Sequence, residues 1–302
     1  MSEFKDYIIA CTPACDLTQE ILDQNNVISI NYKYVKDGEE YEDDYYKSIT
    51  PEEFYGYIKD GGTIKTSQMG YGRYLEFFEK FLKEGKDVML VALSSGITGD
   101  TSTAMSVAKE LNEKYENNKV YILDSTCASS GYGMLLLKAV ENRNNKMSIQ
   151  DNYDFLEEYK RTIHHWFIST DLSTYVKGGR ISGVEGFFGA MLKICPILYV
   201  DYEGRLIPFE KIRTKARAMD AQLEKMHEYC KDGDDYSGPV FICHSVCYDD
   251  AKELADMIQE EFKNVKEVKI FNIGSSIGAH TGPYTISLFF EGKNRKEIVK
   301  ED

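Results

Sequence analysis

Basic residues are scarce. Lys and Arg number 36 against 50 Asp and Glu, a formal net charge of −14 over 302 residues. Phosphate neutralisation needs a basic surface, so the composition argues against nucleic acid as the main partner. A small anionic ligand stays open, because a few buried donors hold one whatever the overall charge. Long apolar runs are missing too: no window approaches the roughly 18 apolar residues of a membrane span. The opening stretch MSEFKDYIIACTPACD has no basic segment leading into an apolar one, so no export signal is expected. The seven cysteines are odd in number and scattered from Cys11 to Cys247, which suits reduced thiols and a cytoplasmic location. Internal repeats, low-complexity tracts and a Gly-x-Ser-x-Gly nucleophile elbow are also absent.

What is present is a globular composition, 42% hydrophobic and 28% charged, long enough for one large α/β domain or two ordinary ones. Short β-rich runs at 7–11, 27–32, 87–93, 120–123 and 167–169 alternate with helical patterns at 71–84, 101–115 and 129–144. Thr50-Pro51-Glu52-Glu53 is a capping box with proline at the first helical position. This order predicts parallel strands joined by crossover helices. After Ser148, which caps a helix to about residue 162, the texture changes. Runs 195–200 and 206–211 flank Asp201-Tyr202-Glu203-Gly204 as a hairpin. A long helix follows over 214–229, then strands and helices at 239–244, 249–262 and 265–272, and a last strand at Phe289-Phe290. The expectation is two α/β lobes, 1–150 with a mainly parallel sheet and 151–302, with the ligand between them.

Four loops have the residue types of a binding site. Ser94-Ser95-Gly96-Ile97-Thr98-Gly99 joins a buried strand to a helix, the position where open α/β sheets take ligands. Its glycines allow close backbone approach, its hydroxyls donate, and the following helix offers free N–H groups to an anion. The same composition also makes an ordinary cap loop, and the lysine and spacing of a P-loop are missing. Thr66-Ser67-Gln68 is a second hydroxyl cluster, read as a loop before the helix at Tyr71. Lys177-Gly178-Gly179-Arg180 sets a guanidinium beside adaptable backbone, suited to a carboxylate or phosphate or equally to a solvated turn. Gly183, Gly186 and Gly189 then recur in a helical run with Phe187, Phe188, Met191 and Leu192, a surface that a helix or a ligand must approach closely. Ile277-Gly278-Ala279-His280-Thr281-Gly282-Pro283 holds one histidine in a glycine turn, able to titrate near neutrality. Cys243-His244-Ser245-Val246-Cys247 has metal-ligand types without a second cluster, so no metal and no cofactor are expected.

Taken in order, these segments resemble the DegV family of lipid-binding proteins. The resemblance runs through Thr66-Ser67-Gln68, Ser94 to Gly99, Asp124-Ser125 with Ser130-Gly131-Tyr132-Gly133, Gly178-Gly179-Arg180-Ile181, Lys193 to Leu198, Lys211-Ile212-Arg213, and Ile277 to Pro283. It implies two α/β lobes with a long-chain fatty acid between them. It also implies the non-catalytic lipid-binding subunit of a bacterial fatty acid kinase, which presents the acyl carboxylate to a separate ATP-binding kinase subunit for conversion to acyl phosphate. By the same resemblance Thr66 and Ser95 hold the carboxylate, with Ser67, Ser94, Gly96 and Thr98 nearby. Arg180 and His280 sit where phosphoryl transfer occurs. The chain departs from the family at Thr12-Pro13, where an Asp-Ser pair is usual, and at Met69-Gly70 after Gln68.

Two other readings stand beside this one. One is a stand-alone enzyme for a small anion, with His280 as base and Ser95 or Arg180 assisting. The other is a lipid carrier or sensor without a kinase partner. Lys211, Arg213, Lys215 and Arg217 form a local basic patch for transient membrane contact, or a solvated helix start.

Overall fold

Alternating apolar runs and capped helical segments fold into three sheets. The computed structural model describes residues 4–181 and 194–298. The chain begins β1 (Tyr7–Cys11), α1 (Gln19–Gln24), β2 (Val27–Ser29), β3 (Lys33–Lys36), β4 (Glu39–Glu42), α2 (Pro51–Lys59), β5 (Lys65–Ser67), α3 (Tyr71–Lys83) and β6 (Asp87–Ala92). Next come α4 (Asp100–Lys114), β7 (Val120–Asp124), α5 (Ser129–Asn144), α6 (Ile149–Tyr159), β8 (Ile163–Ser169) and α7 (Ser173–Gly178). It continues with β9 (Ile197–Val200), β10 (Leu206–Glu210), α8 (Lys215–Tyr229), β11 (Val240–His244), α9 (Tyr248–Glu261), β12 (Val268–Asn272), α10 (Ser275–Thr281) and β13 (Thr285–Glu291). Caps start the helices where expected: the Thr50–Glu53 capping box opens α2, and Ser148 and Thr214 cap α6 and α8.

The first sheet runs β2-β1-β6-β7 and is wholly parallel. Its inner strand β6 is buried along its whole length, as a strand covered on both faces must be. The second runs β10-β9-β8-β13-β11-β12 and is mixed, with only β11 and β12 parallel. The third is a small antiparallel sheet, β4-β3-β5, which the sequence reading missed. Two further differences bear on the site. Thr66 and Ser67 lie in strand β5 instead of a loop, and His280 lies in the last turn of α10 instead of a glycine turn. The helix read over 183–192 lies outside the described residues, as does Lys193.

Helix α5 joins the large sheets. It packs on β1 and β6 with one side and on β8, β11 and β13 with the other, and most of its residues are buried, the mark of an all-round apolar helix. Its glycines make this contact: a Cβ on Gly131 would collide with His165 Nε2, and one on Gly133 would sit 2.7 Å from the Cys15 carbonyl. Phe241, Cys243, Phe271 and Phe289 of the mixed sheet therefore share one core with Tyr7, Val91 and Leu135. Among the described residues no helix is long and apolar enough to cross a membrane, and no cluster of three His, Cys, Asp or Glu is arranged to hold a metal.

Candidate functional site

Between the loops of the parallel sheet and the inner face of the mixed sheet lies a cleft of ≈ 970 Å³, counted to its open mouth. Its floor follows strand alternation: Phe167 on β8, Phe289 on β13, Val200 on β9 and Leu206 on β10 face the same way. Leu93 and Ile97 come from the loop after β6, and Ile273 and Ile277 from the segment that leads into and through α10. The lining is mostly apolar with a few polar groups, the usual character of a small-molecule site.

The polar groups come from distant parts of the chain. Thr66 pairs with Tyr34 across β5 and β3, and its Oγ1 lies 2.8 Å from His280 Nε2. Burial and the charge of Arg180 push His280 down to about 4, so at neutral pH its ring is uncharged. Its Nδ1 makes no hydrogen bond. One hydrogen of the pair is therefore left over in either tautomer. If the Thr66 hydroxyl donates to Nε2, the hydrogen left over is on Nδ1, which is buried against Gly178 of α7; if Nε2–H donates, the Thr66 hydroxyl hydrogen is free at the border of the cleft. A carboxylate, which only accepts, suits the second arrangement.

Helices α7 and α10 pack closely, and glycines set that contact. A Cβ on Gly178 would lie 3.1 Å from His280 Nδ1, and one on Gly282, at φ +70°, would lie 2.5 Å from Thr174 Oγ1. Gly179 ends α7 in the left-handed region, and the exposed Arg180 follows, its Nη1 donating to the Gly178 carbonyl at 2.5 Å.

The expected hydroxyl set divides in two. Thr66, Ser67, Thr98, Arg180 and His280 border the cleft. Ser94, Ser95 and Gly96 do not. Ser94 is fully buried, donates to the Gly204 carbonyl at 2.8 Å and accepts from Gly96 N–H at 3.1 Å. A Cβ on Gly96 would sit 2.7 Å from that same carbonyl. These two residues dock the loop on the hairpin between β9 and β10. Ser95 turns to Asp124, donating from Oγ at 2.5 Å and from its N–H at 3.1 Å.

Three carboxylates that sequence reading passed over hold the site together. Asp100 accepts from Met69 N–H at 2.8 Å, from Tyr32 OH at 2.9 Å and from Tyr74 OH, fixing the segment after β5 to the start of α4. Asp16 accepts from Gly274 N–H at 2.9 Å and from Ser129 Oγ at 2.5 Å. Asp43 accepts from the Ser276 N–H at 2.8 Å and its Oγ at 2.6 Å. Tyr46 and Tyr55 hydroxyls both donate to the Ile273 carbonyl, at 2.6 and 2.7 Å. Residues of the first 55 positions thus grip the entry to the helix that carries His280. Burial raises the carboxyls of Asp16, to about 8, and of Asp43. No sequence signal marked these grips: they depend on the consecutive left-handed Tyr45 and Tyr46, φ 62° and 60°, a conformation that no pattern of residues announces there.

The remaining expectations fall elsewhere. Lys211, Arg213 and Arg217 surround a shallow depression together with Glu210, Asp220 and Glu224, while Lys215 pairs with Asp250. Cys243 Sγ meets Ser130 Oγ at 2.8 Å in the core. Thr12 is buried, its N–H donating to Tyr132 OH at 2.9 Å.

With this geometry in hand, comparison with known proteins is consistent throughout. The DegV family model, whose description reads "uncharacterised protein", matches residues 12–293. A DegV domain-containing protein of Clostridium perfringens is 31% identical over 292 residues, 97% of this chain and 99% of that protein. One of Clostridium acetobutylicum is 32% identical over 273 residues, 90% of this chain and 92% of that one. DegV of Bacillus subtilis, a fatty acid binding protein, superposes with a TM-score of 0.81 at 26% identity, covering 97% of this chain and 100% of that chain. A fatty-acid-binding DegV protein of Thermus thermophilus has the same fold, with a TM-score of 0.85 at 23% identity over 96% of this chain and 100% of that chain.

Proposed function

The chain belongs to the DegV family, and from that membership we propose that it binds a long-chain fatty acid in the cleft and presents the carboxylate to a separate ATP-binding kinase subunit. The observation that carries this reading is the Thr66–His280 pair, with a donor left over, at the border of an otherwise apolar cleft. Each methylene moved out of water is worth about 0.8 kcal/mol, so a long chain supplies ample binding energy. The carboxylate must find donors once desolvated or it is excluded. Thr66 supplies one, oriented by His280, with Ser67 and Thr98 nearby. Ser94, Ser95 and Gly96 shape the loop through the hairpin and Asp124.

Arg180 and His280 then assist phosphoryl transfer, Arg180 by offsetting charge as the phosphoryl group arrives and the neutral His280 by holding the Thr66 hydroxyl in place, a role that needs positioned donors more than covalent chemistry. The lipid-binding chain itself is non-catalytic in this scheme. It works in the cytoplasm, with transient membrane contact during lipid exchange at the Lys211–Arg213–Arg217 face. Two lobes meet near residue 150, with α5 as the shared layer.

The test is native mass spectrometry of the purified protein followed by denaturing lipid extraction. One long-chain fatty acid per chain is expected, with retention reduced roughly tenfold or more in Thr66→Val, which removes the hydroxyl at near-constant volume. Protein that stays empty after incubation with fatty acids overturns the reading. A protein that binds fatty acid but whose bound acid is not phosphorylated by any fatty acid kinase subunit overturns the kinase part alone.

A further inference from the structure

The inner end of the cleft is built by one helix turn laid across the mixed sheet. The sheet face beneath the cleft has three levels in the register of β8 and β13: Ser169 opposite Thr285, Phe167 opposite Ser287, and His165 opposite Phe289. The first level belongs to the His280 end. Tyr175 OH of α7 meets Thr285 Oγ1 at 3.0 Å, and Gly178 of the same helix packs on His280. The other two levels border the cleft, and His165 and Phe289 are the innermost residues of their strands to do so. His165 lies four residues in from Ser169, about 13 Å at the rise of a strand.

Beyond that point α5 leaves no room. A Cβ on Gly131 would collide with the His165 ring, so the helix rests directly on β8. Two strands over, Ser130 Oγ meets Cys243 Sγ of β11 at 2.8 Å. Cys243 stands opposite Ser287, one level nearer the His280 end. The first turn of α5 therefore crosses the sheet obliquely, and the deepest corner of the slot lies on β8 at His165. Ala128, the N-cap of α5, stands at that corner. Its N–H donates to His165 Nε2 at 3.4 Å, and it borders the cleft together with Ser129. This wall is stiff. Helix α5 has 16 residues, most of them buried, and it packs on both large sheets. A close-packed core yields little to an inserted methylene.

We propose that the first turn of α5 is the end wall of the acyl slot, and that Ala128 at its deepest corner sets the longest chain the protein accepts. The inference rests on the fatty-acid reading and names a residue that determines its specificity. Ala128 has an extended backbone, φ −139° and ψ 160°, which larger and branched side chains adopt without strain. A larger side chain there occupies the space of the last methylenes. It leaves the carboxylate end alone, because Thr66 and His280 lie at the opposite end of the cleft.

Affinities for lauric, myristic, palmitic, stearic and arachidic acid test this on the purified protein, on Ala128→Leu and on Ala128→Val. In the wild type, affinity should rise about fourfold per added methylene up to a limiting length and then stop rising. In Ala128→Leu that limit should fall by at least one member of the series, with shorter acids bound as in the wild type. Ala128→Val should move the limit the same way and serves if the leucine variant melts early. Thr66→Val should weaken every acid alike and leave the limit in place, so loss of head-group contact does not imitate the effect. A limit that stays put in both Ala128 variants, or a wild type whose affinity climbs through the whole series, overturns the proposal while fatty acid binding stands. Binding of none of the five acids overturns the fatty-acid reading and this inference with it.

Discussion

Thr66 and His280 are 214 residues apart in the chain and their side chains 2.8 Å apart in the fold. Each was visible in the sequence as a residue in a suggestive motif. Their meeting was not, because it depends on β5 and α10 being brought together by elements with no pattern in common. Arg180 belongs to the same neighbourhood, since its charge is one of the two causes that hold His280 down to about 4, after burial. The effect of a like charge is separable from burial. Replacing Arg180 by Gln removes the repulsion and leaves burial in place, so the His280 titration is expected to move upward and remain below the free value of 6.5. Histidine side-chain NMR over pH 3 to 8 reads this directly. An unchanged titration would show that Arg180 points its charge away from the site in solution. A bound fatty-acid carboxylate should move the same resonance upward in the wild type, because a nearby anion favours imidazolium.

Helix α10 has only seven residues, too few to hold itself in water, where even good sequences need about 12 or more. Its position comes from the grip of Asp16, Asp43, Tyr46 and Tyr55 on residues 273–276. Asp43→Ala leaves the Ser276 N–H and hydroxyl without their acceptor. The expected cost is about 1–3 kcal/mol of stability, with faster amide exchange concentrated at residues 274–281 and weaker fatty-acid retention. Exchange that rises uniformly over the chain would show that the contact supports the fold at large and does not position His280. Asp43 was illegible because it sits in a run of acidic and aromatic residues that reads as a solvated face, and its partners lie 233 positions away. The elements themselves were legible where caps and periodicity agree: α2 from its capping box, and α5 over its full length, Ser129–Asn144. The hairpin of β3 and β4 was missed, although Asp37-Gly38, with φ +54° and +85°, is a two-residue turn of the kind that marks one. Lys and Glu crowd its strands, hiding the alternation.

Across the whole molecule, buried titratable groups tie the two large sheets together and set opposing limits on stability. Arg295 is buried beneath the seam, donating to Thr126 O at 2.9 Å, Lys160 O at 3.2 Å and Val200 O at 3.3 Å. On strand β8, burial pushes His164 down to about 3, and burial with the Arg295 charge pushes His165 well below the ordinary 6.5. Groups held neutral this way contribute stability above pH 6.5 that is lost as pH falls toward their folded values. Asp16 has the reverse sign. Its carboxyl is raised from 3.8 to about 8, by burial, so its contribution is complete below pH 3.8 and is lost as pH rises through about 8. Asp43 is raised in the same direction. Between pH 6.5 and 8 these carboxyls act without opposition from the histidines, and stability should fall with rising pH, with Asp16 contributing about 1.4 kcal/mol per unit at most. Asp16→Asn keeps an acceptor for Gly274 N–H and supplies a permanent donor toward Ser129, as the protonated acid does. Its denaturation midpoint, measured in urea at intervals from pH 5 to 8.5, should therefore decline much less than that of the wild type on the alkaline side, and fall more steeply below pH 6, where the wild type still gains from Asp16 down to pH 3.8 against the histidine loss. Parallel slopes on the alkaline side would mean that Asp16 is ionised in the folded protein and that Gly274 and Ser129 compensate its charge, leaving the grip on α10 a charged contact.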